Sequence, residues 1–259
     1  MPGAHLRAMR EADAIAGLRR IDRLSLAIDS ISHGLLELAW PTRCVCCELP
    51  HALLCRDCEE ALPRIAAESA CPRCGAPFGA VACTECWTAD GQVPRPFASA
   101  RCALEFNDAS AKLILAYKDG GERALAPILA RLLVEALEPE LLESSDCLAY
   151  VPASSQALRR RGFDHMERIA CEVSTLTRLE RVDLLAANSR FDQRELSREE
   201  RAENMAEAFE LLEGIDELPR RVLLIDDVFT TGATLTAATE VLLAGGVERV
   251  DVGAICRVW

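Results

Sequence analysis

The chain has 259 residues, of which 27% are charged and 50% are hydrophobic, and its formal net charge is -12. This composition excludes a disordered chain, which would bury too little apolar surface, and also a collagen-like fibre. The acidic charge counts against a broad electrostatic grip on nucleic acid or an anionic membrane, because both need clustered positive charge. At this length we expect one domain of roughly 150 residues and a smaller one.

No stretch of the sequence approaches the roughly 18 apolar residues of a membrane-spanning helix. The N-terminus also lacks the apolar core of roughly 7 to 15 residues that a signal peptide needs. We therefore expect a cytoplasmic protein with no membrane span.

Residues 1–40 carry apolar side chains at helical spacing, and Pro41 ends the run. The apolar positions that recur every three or four residues are Leu24, Ile28, Ile31, Leu35 and Leu38. This pattern predicts an amphipathic helix. Its apolar face either packs on the module that follows or docks on a partner.

Cysteine spacing predicts two zinc sites. Nine of the 13 Cys residues fall between Cys44 and Cys86, and eight of them form four Cys-x-x-Cys pairs: Cys44/Cys47, Cys55/Cys58, Cys71/Cys74 and Cys83/Cys86. A two-residue spacer lets one tight turn aim both thiolates at one point, so two pairs complete a tetrahedral Zn²⁺ shell. Such closed shells are structural, because no coordination position stays open for a substrate.

The grouping of the four pairs follows from loop lengths. The gaps inside the two halves are 7 and 8 residues, whereas 12 residues separate the halves. Sequential pairing closes the shorter loops, so we favour it over a cross-braced arrangement. Cys46 and His51 are expected to be non-ligands. The isolated cysteines are expected to be small buried hydrophobes: Cys102, Cys147, Cys171 and Cys256.

The segment TADGQVPRPFASA, residues 88–100, is rich in Pro, Gly and small residues and is typical of a linker. We therefore expect four parts of the chain, namely a helical segment at 1–40, a double zinc-binding domain at 41–87, a linker at 88–100 and a further domain at 101–259.

From residue 101 short β-prone runs alternate with helical ones. The strand-like runs are RCALEF (101–106), CLAYVP (147–152), VDLL (182–185), RVLLIDDV (221–228) and VERVDVGAIC (247–256). Helices are predicted around 108–118, at 123–137, near 164–179 and at 232–244. Continuous apolar runs are typical of strands buried on both faces, so we predict an α/β fold with a mainly parallel sheet covered by helices. Ligands of such sheets bind beyond the carboxyl ends of the strands.

The segment RVLLIDDVFTTGATL, residues 221–235, predicts a phosphate site. A strand at 221–225 is followed by the turn TTGAT, which opens a helix near Gly232. Glycine lets backbone amides approach an anion closely, and a helix N-terminus carries about half a positive charge. Hydroxyl donors are supplied by Thr230, Thr231 and Thr234.

Asp226 and Asp227 stand between that strand and the turn. Two carboxylates would repel an anion unless they bind sugar hydroxyls or a divalent cation. The pattern therefore indicates a sugar phosphate accompanied by Mg²⁺, and its spacing suggests ribose 5-phosphate. The alternative is a solvated acidic turn with a Thr cap.

The same segment resembles the phosphoribosyl pyrophosphate signature of type I phosphoribosyltransferases. The resemblance implies that Asp226 and Asp227 hold the ribose 2′ and 3′ hydroxyls. It also implies that the following turn wraps the 5′-phosphate with Thr230, Thr231, Gly232, Ala233 and Thr234.

Three more segments follow the four Cys pairs: LAYKDGGERALA (115–126), YVPASSQALRRRGFDH (150–165) and FDQRELSREERAENMAEAF (191–209). With them the chain resembles the ComF family of competence-related proteins from about residue 24 onward. That resemblance implies a phosphoribosyltransferase-like domain behind a double zinc ribbon, with phosphoribosyl pyrophosphate and Mg²⁺ as ligands.

Two segments depart from the family pattern. Where the family usually has Arg-Gly-Phe-Asn-Gln, this chain has RGFDH at 161–165, and the usual Val-Pro-Val-Pro is VPAS at 151–154. The family fold places its pyrophosphate loop at the second segment. We therefore expect Ala153, Ser154 and Ser155 to offer amides and hydroxyls to the diphosphate.

Cationic residues are expected to bind the leaving diphosphate. Type I enzymes keep a mobile loop over it, and residues 189–204 lie in the corresponding place, with the candidates Arg190, Arg194, Arg198 and Arg201. Arg194 and Arg201 are the predicted contacts, and a solvated helix face is the alternative. Lys118 and Arg161 are the predicted catalytic cations.

Thr230 counts against purine salvage. In purine-salvage relatives this motif position is an Asp that accepts a proton from the base, and Thr cannot do so at neutral pH. The first hypothesis is therefore a phosphoribosyltransferase with an unknown nitrogen acceptor.

The second hypothesis is a phosphoribosyl pyrophosphate-binding protein without turnover. As the ComF resemblance implies, its zinc module would contact single-stranded DNA or a protein of the competence machinery during DNA uptake. The acidic charge and the 5% aromatic content count against DNA. Trp40, Trp87 and Phe97 lie around the zinc module and are expected to pack in a core. A purely structural zinc adaptor would leave the phosphoribosyl motif unexplained.

Overall fold

The computed structural model of this chain describes residues 41–79, 81, 83–88, 91–188, 208–215 and 217–259. The helix predicted in 1–40 and the loop predicted at 189–204 lie outside these residues. The chain divides into two compact units, Met1–Cys58 and Glu59–Trp259.

The helices of the described residues are α1 (Arg56–Glu60), α2 (Asp108–Lys118), α3 (Ala126–Ala136), α4 (Pro139–Ser144), α5 (Ser155–Arg161), α6 (His165–Thr177) and α7 (Ala233–Gly245). One turn of 3-10 helix at Arg123–Leu125 precedes α3. None of these helices has the length and apolarity that crossing a membrane requires.

The strands of the described residues are β1 (Trp87–Thr88), β2 (Gly91–Gln92), β3 (Ala100–Glu105), β4 (Cys147–Tyr150), β5 (Leu185–Ala187), β6 (Phe209–Leu211), β7 (Arg221–Phe229) and β8 (Arg249–Arg257). β1 pairs with β2 and β5 with β6, both antiparallel.

The main sheet has four parallel strands in the order β3-β8-β7-β4. Its central strands β7 and β8 are buried over nearly their whole length, as their continuous apolar runs predict. Helix α7 connects these two strands, which is the crossover that a parallel pair needs. The predicted α/β fold is confirmed.

β7 is longer than the sequence predicts. The strand-like run extends to residue 228 and the strand of the predicted phosphate site ends at 225, whereas β7 continues to Phe229, which lies opposite Arg257 of β8. The neighbouring strand β8 supplies backbone partners over this whole length, so the ladder does not stop at the first polar residue. Asp226 and Asp227 therefore lie inside the strand and not after it.

Local capping explains the helix starts around the site. Asn107 and Ser110 form a capping box at the start of α2. Ser154 caps α5, a helix that the sequence analysis did not predict. Asp164 caps α6. Between them Gly162 takes a left-handed conformation with φ of 74° and ends α5.

The residues from Cys71 to Ala100 contribute to the core of the unit Glu59–Trp259. Phe97 and Ala100, from the predicted linker, are buried with the second set of Cys pairs against β7 and β8. The Ala100 amide donates to the Pro72 carbonyl at 3.0 Å. Trp87 is 59% exposed, so its expected place in a core is wrong, whereas that of Phe97 is confirmed. The division at 41–87 and 88–100 stays a prediction.

Candidate functional site

Eight Cys residues form two groups in which the sulfur atoms lie within 4.8 Å of one another. The first Cys group is Cys44, Cys47, Cys55 and Cys58, and the second Cys group is Cys71, Cys74, Cys83 and Cys86. The sequential pairing is confirmed, and Cys46 and His51 belong to neither group.

The sulfur separations fit a tetrahedral zinc ion. Zn–S bonds of about 2.3 Å place tetrahedral ligands about 3.8 Å apart. The Sγ atoms of Cys47 and Cys55 are 3.6 Å apart, and two pairs in the second Cys group are 3.5 and 3.8 Å apart. A disulfide needs about 2.05 Å, and all these residues are free thiols. Both groups could therefore hold Zn²⁺.

The two Cys groups differ in exposure. Cys47 of the first group is exposed, whereas all four members of the second group are buried. Burial alone would raise the pKa of the Cys44 thiol, but the backbone N–H groups of Cys55, Cys47 and Cys46 outweigh burial and lower it to about 6. The thiolate that a metal requires is thereby favoured.

The isolated cysteines are not all alike. Cys102, Cys147 and Cys256 are buried as predicted, but Cys171 is exposed on α6, so its prediction was wrong. Burial raises the pKa of Cys147 to about 12.

Two buried carboxylates lie near the carboxyl end of β7. Asp226 and Asp227 are 7% and 6% exposed. Adjacent residues of a strand point to opposite faces of the sheet, so their side chains meet different surroundings. Asp226 accepts the backbone N–H of Asp227 at 2.8 Å, whereas the carboxylate of Asp227 binds two cationic or polar side chains.

The partners of Asp227 come from two helices. Lys118, at the end of α2, forms an ion pair with Asp227 Oδ2, and His165, at the start of α6, places Nε2 3.0 Å from the same oxygen. An ionised carboxylate only accepts, so Nε2 carries the hydrogen and we assign Nδ1 as acceptor of Arg161 Nη1 at 3.4 Å. Lys118 therefore contacts Asp227 directly, and Arg161 is linked to Asp227 through His165.

The pKa values of the two carboxyl groups move in opposite directions. Burial, and then repulsion from Asp227, raise the pKa of Asp226 to about 8. Burial would also raise the pKa of Asp227, but the hydrogen bond from His165 and the charge of Lys118 outweigh it and hold that pKa below its ordinary value. One member of the pair is therefore a stable carboxylate, and the other is ready to bind a proton.

A cationic cavity of about 350 Å³ lies beside Asp227. Its lining includes Lys118, Arg160 and Arg161, with Asp119 as the carboxylate. Arg161 is 8% exposed at its side chain and donates from Nε to Asp119 at 3.2 Å, and Arg160 donates to the same oxygen at 3.1 Å. Three cations against one carboxylate leave this cavity suited to an anion.

The phosphate turn, residues 230–234, joins β7 to α7. Gly232 has φ of 83°, and a Cβ there would lie 2.5 Å from the Phe229 ring, so both conformation and space require glycine. Thr230 and Thr231 are exposed, and Thr231 Oγ1 accepts the Ala233 amide at 3.3 Å. The other predicted residues of the turn, Ala233 and Thr234, are partly exposed at the start of α7.

The loop after β4 is already engaged within the protein. Ala153 donates its amide to Asp164 Oδ2 at 2.8 Å, and Ser154 Oγ accepts the Ala157 amide at 3.3 Å as the cap of α5. A diphosphate would compete with Asp164 for the Ala153 amide. The predicted role of Ala153 and Ser154 stays a prediction, and so does that of Arg194 and Arg201, which lie outside the described residues.

Sequence reasoning missed His165 and Asp164 as site residues. The signal was present, because both lie at the departure RGFDH (161–165), where an acid and an imidazole replace two amides. What spacing did not reveal is that His165 reaches Asp227, which is 62 positions further along the chain.

Sequence comparison places these features in a family context. No profile of a known protein family matches this chain. It is 27% identical to competence protein ComFC of Streptococcus pneumoniae, over 79% of this chain and 87% of that protein. It is 28% identical to DNA utilization protein YhgH of Salmonella typhi, over 85% of this chain and 99% of that protein.

A shorter match supports the same relationship. Competence protein F of Haemophilus influenzae is 30% identical over 52% of this chain and 61% of its own length. The similarity to ComFC and YhgH, in contrast, spans most of both chains. These similarities support the predicted resemblance to the ComF family, and the three relatives are named for competence or DNA utilization.

Proposed function

We propose that the chain binds phosphoribosyl pyrophosphate with Mg²⁺ and transfers its phosphoribosyl group to a nitrogen acceptor. The observation that carries this proposal is the arrangement along β7, where two buried carboxylates lead into a glycine turn at the start of a helix. A sugar phosphate needs both features, because carboxylates accept from hydroxyls and a helix N-terminus attracts phosphate.

The ribose is expected at Asp226 and Asp227. Asp227 now accepts from Lys118 and His165, so ribose hydroxyls would share or replace these donors. The 5′-phosphate is assigned to the phosphate turn, where Thr230 and Thr231 are exposed. Hydroxyls and phosphate are thereby bound by separate groups.

The diphosphate is assigned to the cationic cavity next to Asp227. Lys118, Arg160 and Arg161 line it, and each supplies N–H donors to phosphate oxygens. We propose Lys118 and Arg161 as the catalytic cations, because charge builds up on the leaving diphosphate as its bond to the sugar breaks. Arg194 and Arg201 are proposed as additional contacts.

The carboxylates of Asp226 and Asp227 fit Mg²⁺, a hard cation that prefers oxygen ligands. Bound with the diphosphate, Mg²⁺ would neutralise charge on the leaving group. The protein's own share of the reaction is electrostatic. The anionic carboxylate of Asp227 would stabilise positive charge that develops on the ribose, and Lys118 and Arg161 would stabilise the departing anion.

The transfer step balances without a protein base. The C–O bond electrons at the anomeric carbon leave with diphosphate, and the acceptor nitrogen forms the new C–N bond and gives up its proton. Thr230 stands where a base would be expected in purine-salvage relatives and cannot accept that proton at neutral pH. The acceptor is therefore expected to lose its proton to water or to the leaving diphosphate.

Calorimetric titration of phosphoribosyl pyrophosphate, with and without Mg²⁺, tests binding, and release of diphosphate in the presence of nitrogen acceptors tests turnover. Replacing both carboxylates, Asp226→Asn with Asp227→Asn, should weaken phosphoribosyl pyrophosphate at least a hundredfold, about 2.7 kcal/mol. Binding of inorganic phosphate should change by less than threefold, since the phosphate turn is intact. Equal losses for both ligands would show that the roles of carboxylates and turn are wrongly assigned.

The second candidate is a protein that binds phosphoribosyl pyrophosphate without turnover and contacts single-stranded DNA near its zinc module. Exposed aromatic rings support it. Phe78, Trp87 and Trp259 are 70%, 59% and 57% exposed, and the rings of Phe78 and Trp259 are 6.0 Å apart between centroids. Bases stack on such rings. Trp87→Ala and Trp259→Ala should each weaken binding of an oligothymidine at least threefold, and diphosphate release should stay absent.

We further propose a cytoplasmic location. The described cysteines are all free thiols, including those outside the two Cys groups. Thiols persist in a reducing compartment, where zinc sites and not disulfides are the usual outcome of paired cysteines. Elemental analysis should find about 2 zinc ions per chain.

A further inference from the structure

A fully buried arginine lies between the second Cys group and the phosphate turn. Arg257 is the last residue of β8, and its exposed fraction is 0%. A guanidinium stays charged at every physiological pH, so its burial requires acceptors for its donors. Arg257 finds them on both sides.

On one side Arg257 binds the second Cys group. Its Nε donates to the Cys74 carbonyl at 2.9 Å, and its Nη2 forms an ion pair with Glu85. Cys74 belongs to one Cys-x-x-Cys turn, and Glu85 lies inside the other, between Cys83 and Cys86. A metal that joins these two turns would therefore set the positions of both acceptors.

On the other side Arg257 binds the backbone that enters the phosphate turn. Its Nη1 donates to the Thr230 carbonyl at 2.7 Å and to the Phe229 carbonyl at 3.2 Å. The guanidinium carbon also lies 4.5 Å from the centre of the Phe229 ring. A second arginine binds the next carbonyl of the turn, because Arg95 donates to the Thr231 carbonyl at 2.7 Å.

Holding these carbonyls orients the amides of the turn. In a trans peptide the C=O and the N–H of one unit point in opposite directions. Three successive carbonyls bound to arginines therefore direct the N–H groups of Thr230, Thr231 and Gly232 away from the arginines. Successive N–H groups that face the same way form an anion-binding concavity, and fixing them in advance removes an ordering cost from binding.

We infer that Arg257 is a positioning residue that couples the second Cys group to ligand binding at the phosphate turn, so that Zn²⁺ and phosphoribosyl pyrophosphate each strengthen binding of the other. The inference rests on the function proposed above. It extends that function, since the second zinc becomes part of the ligand site's support although it touches no ligand. Coupling of this kind is reciprocal at equilibrium.

Zinc affinity measured with and without phosphoribosyl pyrophosphate and Mg²⁺ tests the coupling. The full chain with Cys47→Ser lacks the first site, so competition with a zinc-selective chelator reports the second one. We expect the ligand to raise zinc affinity about fivefold or more. With Arg257→Met added, the increase should fall below twofold, and Arg257→Lys should restore part of it.

Matched variants separate coupling from general damage. Arg220→Met removes an exposed arginine, paired with Glu248 at 2.7 Å, and should leave the fivefold increase unchanged. If Arg257→Met does not fold, Glu85→Gln replaces it, because Glu85 is 31% exposed at its side chain and its loss keeps the arginine in place. In Glu85→Gln the increase in zinc affinity that the ligand causes should fall to half or less of the parent value.

Hydrogen exchange of residues 229–234 in the ligand-free protein gives a readout that does not depend on the ligand. Arg257→Lys and Glu85→Gln should each speed exchange there at least threefold, with Arg220→Met unchanged. Ligand binding without any change in zinc affinity would overturn the coupling and leave the proposed function standing. Failure of the parent protein to bind phosphoribosyl pyrophosphate would overturn the proposed function, and unchanged exchange in both variants would then overturn the role of Arg257 too.

Discussion

The two Cys groups share their ligands and spacing but differ in their surroundings. The first belongs to the small unit Met1–Cys58 and has an exposed member in Cys47. The second is buried in the core of the unit Glu59–Trp259, where the Cys74 carbonyl binds Arg257. The same motif can therefore stabilise a small unit in one place and belong to the support of a candidate ligand site in another.

Loss of a ligand in each Cys group gives the largest expected contrast. Cys74→Ser should prevent the unit Glu59–Trp259 from folding, because structural zinc contributes on the order of 10 kcal/mol and this site is buried in the core. Cys47→Ser should leave that unit folded. Thermal unfolding followed by circular dichroism, with zinc analysis of each variant, checks both outcomes.

The zinc content of Cys47→Ser is the control for this pair. It should fall from about 2 to about 1 ion per chain, with the C-terminal unit resistant to proteolysis. A Cys74→Ser protein that keeps its unfolding midpoint within a few degrees of the parent would contradict the structural role of the second Cys group.

Zinc release should separate the same two groups by rate. A chelator reaches the first Cys group directly through the exposed Cys47, whereas the second requires local opening of the core. We expect two phases whose rates differ about a hundredfold, equivalent to about 2.7 kcal/mol of opening free energy. A single phase for both ions, measured by absorbance of the chelator complex, would argue that the two environments protect zinc equally.

The sequence predicted well those functional residues that lie close together along the chain. The Cys pairs, the carboxylates Asp226 and Asp227 and the glycine of the phosphate turn each lie within a few residues of their partners, so spacing alone identified them. The parallel sheet followed from apolar runs that only a doubly covered strand explains.

Contacts between distant segments could not be predicted in this way. His165 meets Asp227 only because α6 begins beside the end of β7, and Arg257 reaches Thr230 because β8 pairs with β7 up to Phe229. The burial of the second Cys group likewise depends on packing against strands more than 100 positions away. Such contacts depend on sheet register, which local patterns leave open.

Two further arginines test whether diphosphate binding uses more than the cationic cavity. If residues 189–204 close over the diphosphate, Arg194→Ala with Arg201→Ala should cost at least tenfold in affinity for phosphoribosyl pyrophosphate, about 1.4 kcal/mol. Ribose 5-phosphate lacks the diphosphate, so its affinity should stay within twofold. Calorimetry with both ligands measures the difference.

The alternative interpretation of residues 189–204 as a solvated helix predicts a different result. Its arginines would pair with neighbouring glutamates, and the double variant would bind both ligands as the parent does. That result would assign the leaving-group contacts to Lys118 and Arg161 alone. Arg220→Ala is the control, because that side chain is 76% exposed and pairs with Glu248.

Asp226 and Asp227 are adjacent residues of the same type whose surroundings differ, as do those of the two Cys groups. Burial and repulsion raise the pKa of Asp226 to about 8, so its folded form binds a proton more readily than its unfolded form. Its contribution to stability is therefore complete below its ordinary pKa of 3.8 and is lost as pH rises toward 8. Asn cannot ionise, so Asp226→Asn should raise the unfolding midpoint of the ligand-free protein at pH 8 by roughly 2–4 °C per kcal/mol gained.

The opposite sign is expected for Asp227, whose pKa is held low by His165 and Lys118. Its stabilisation is present above the ordinary pKa and is lost as pH falls through the lowered folded value, so Asp227→Asn should lower the midpoint at pH 8. Thermal unfolding at pH 5 and pH 8 distinguishes the two residues. The gain from Asp226→Asn should shrink toward pH 5, because the unfolded carboxyl gains less free energy from ionising as the pH approaches its ordinary pKa of 3.8. An equal gain at both pH values would mean that the amide stabilises by packing and that the proton on Asp226 plays no part.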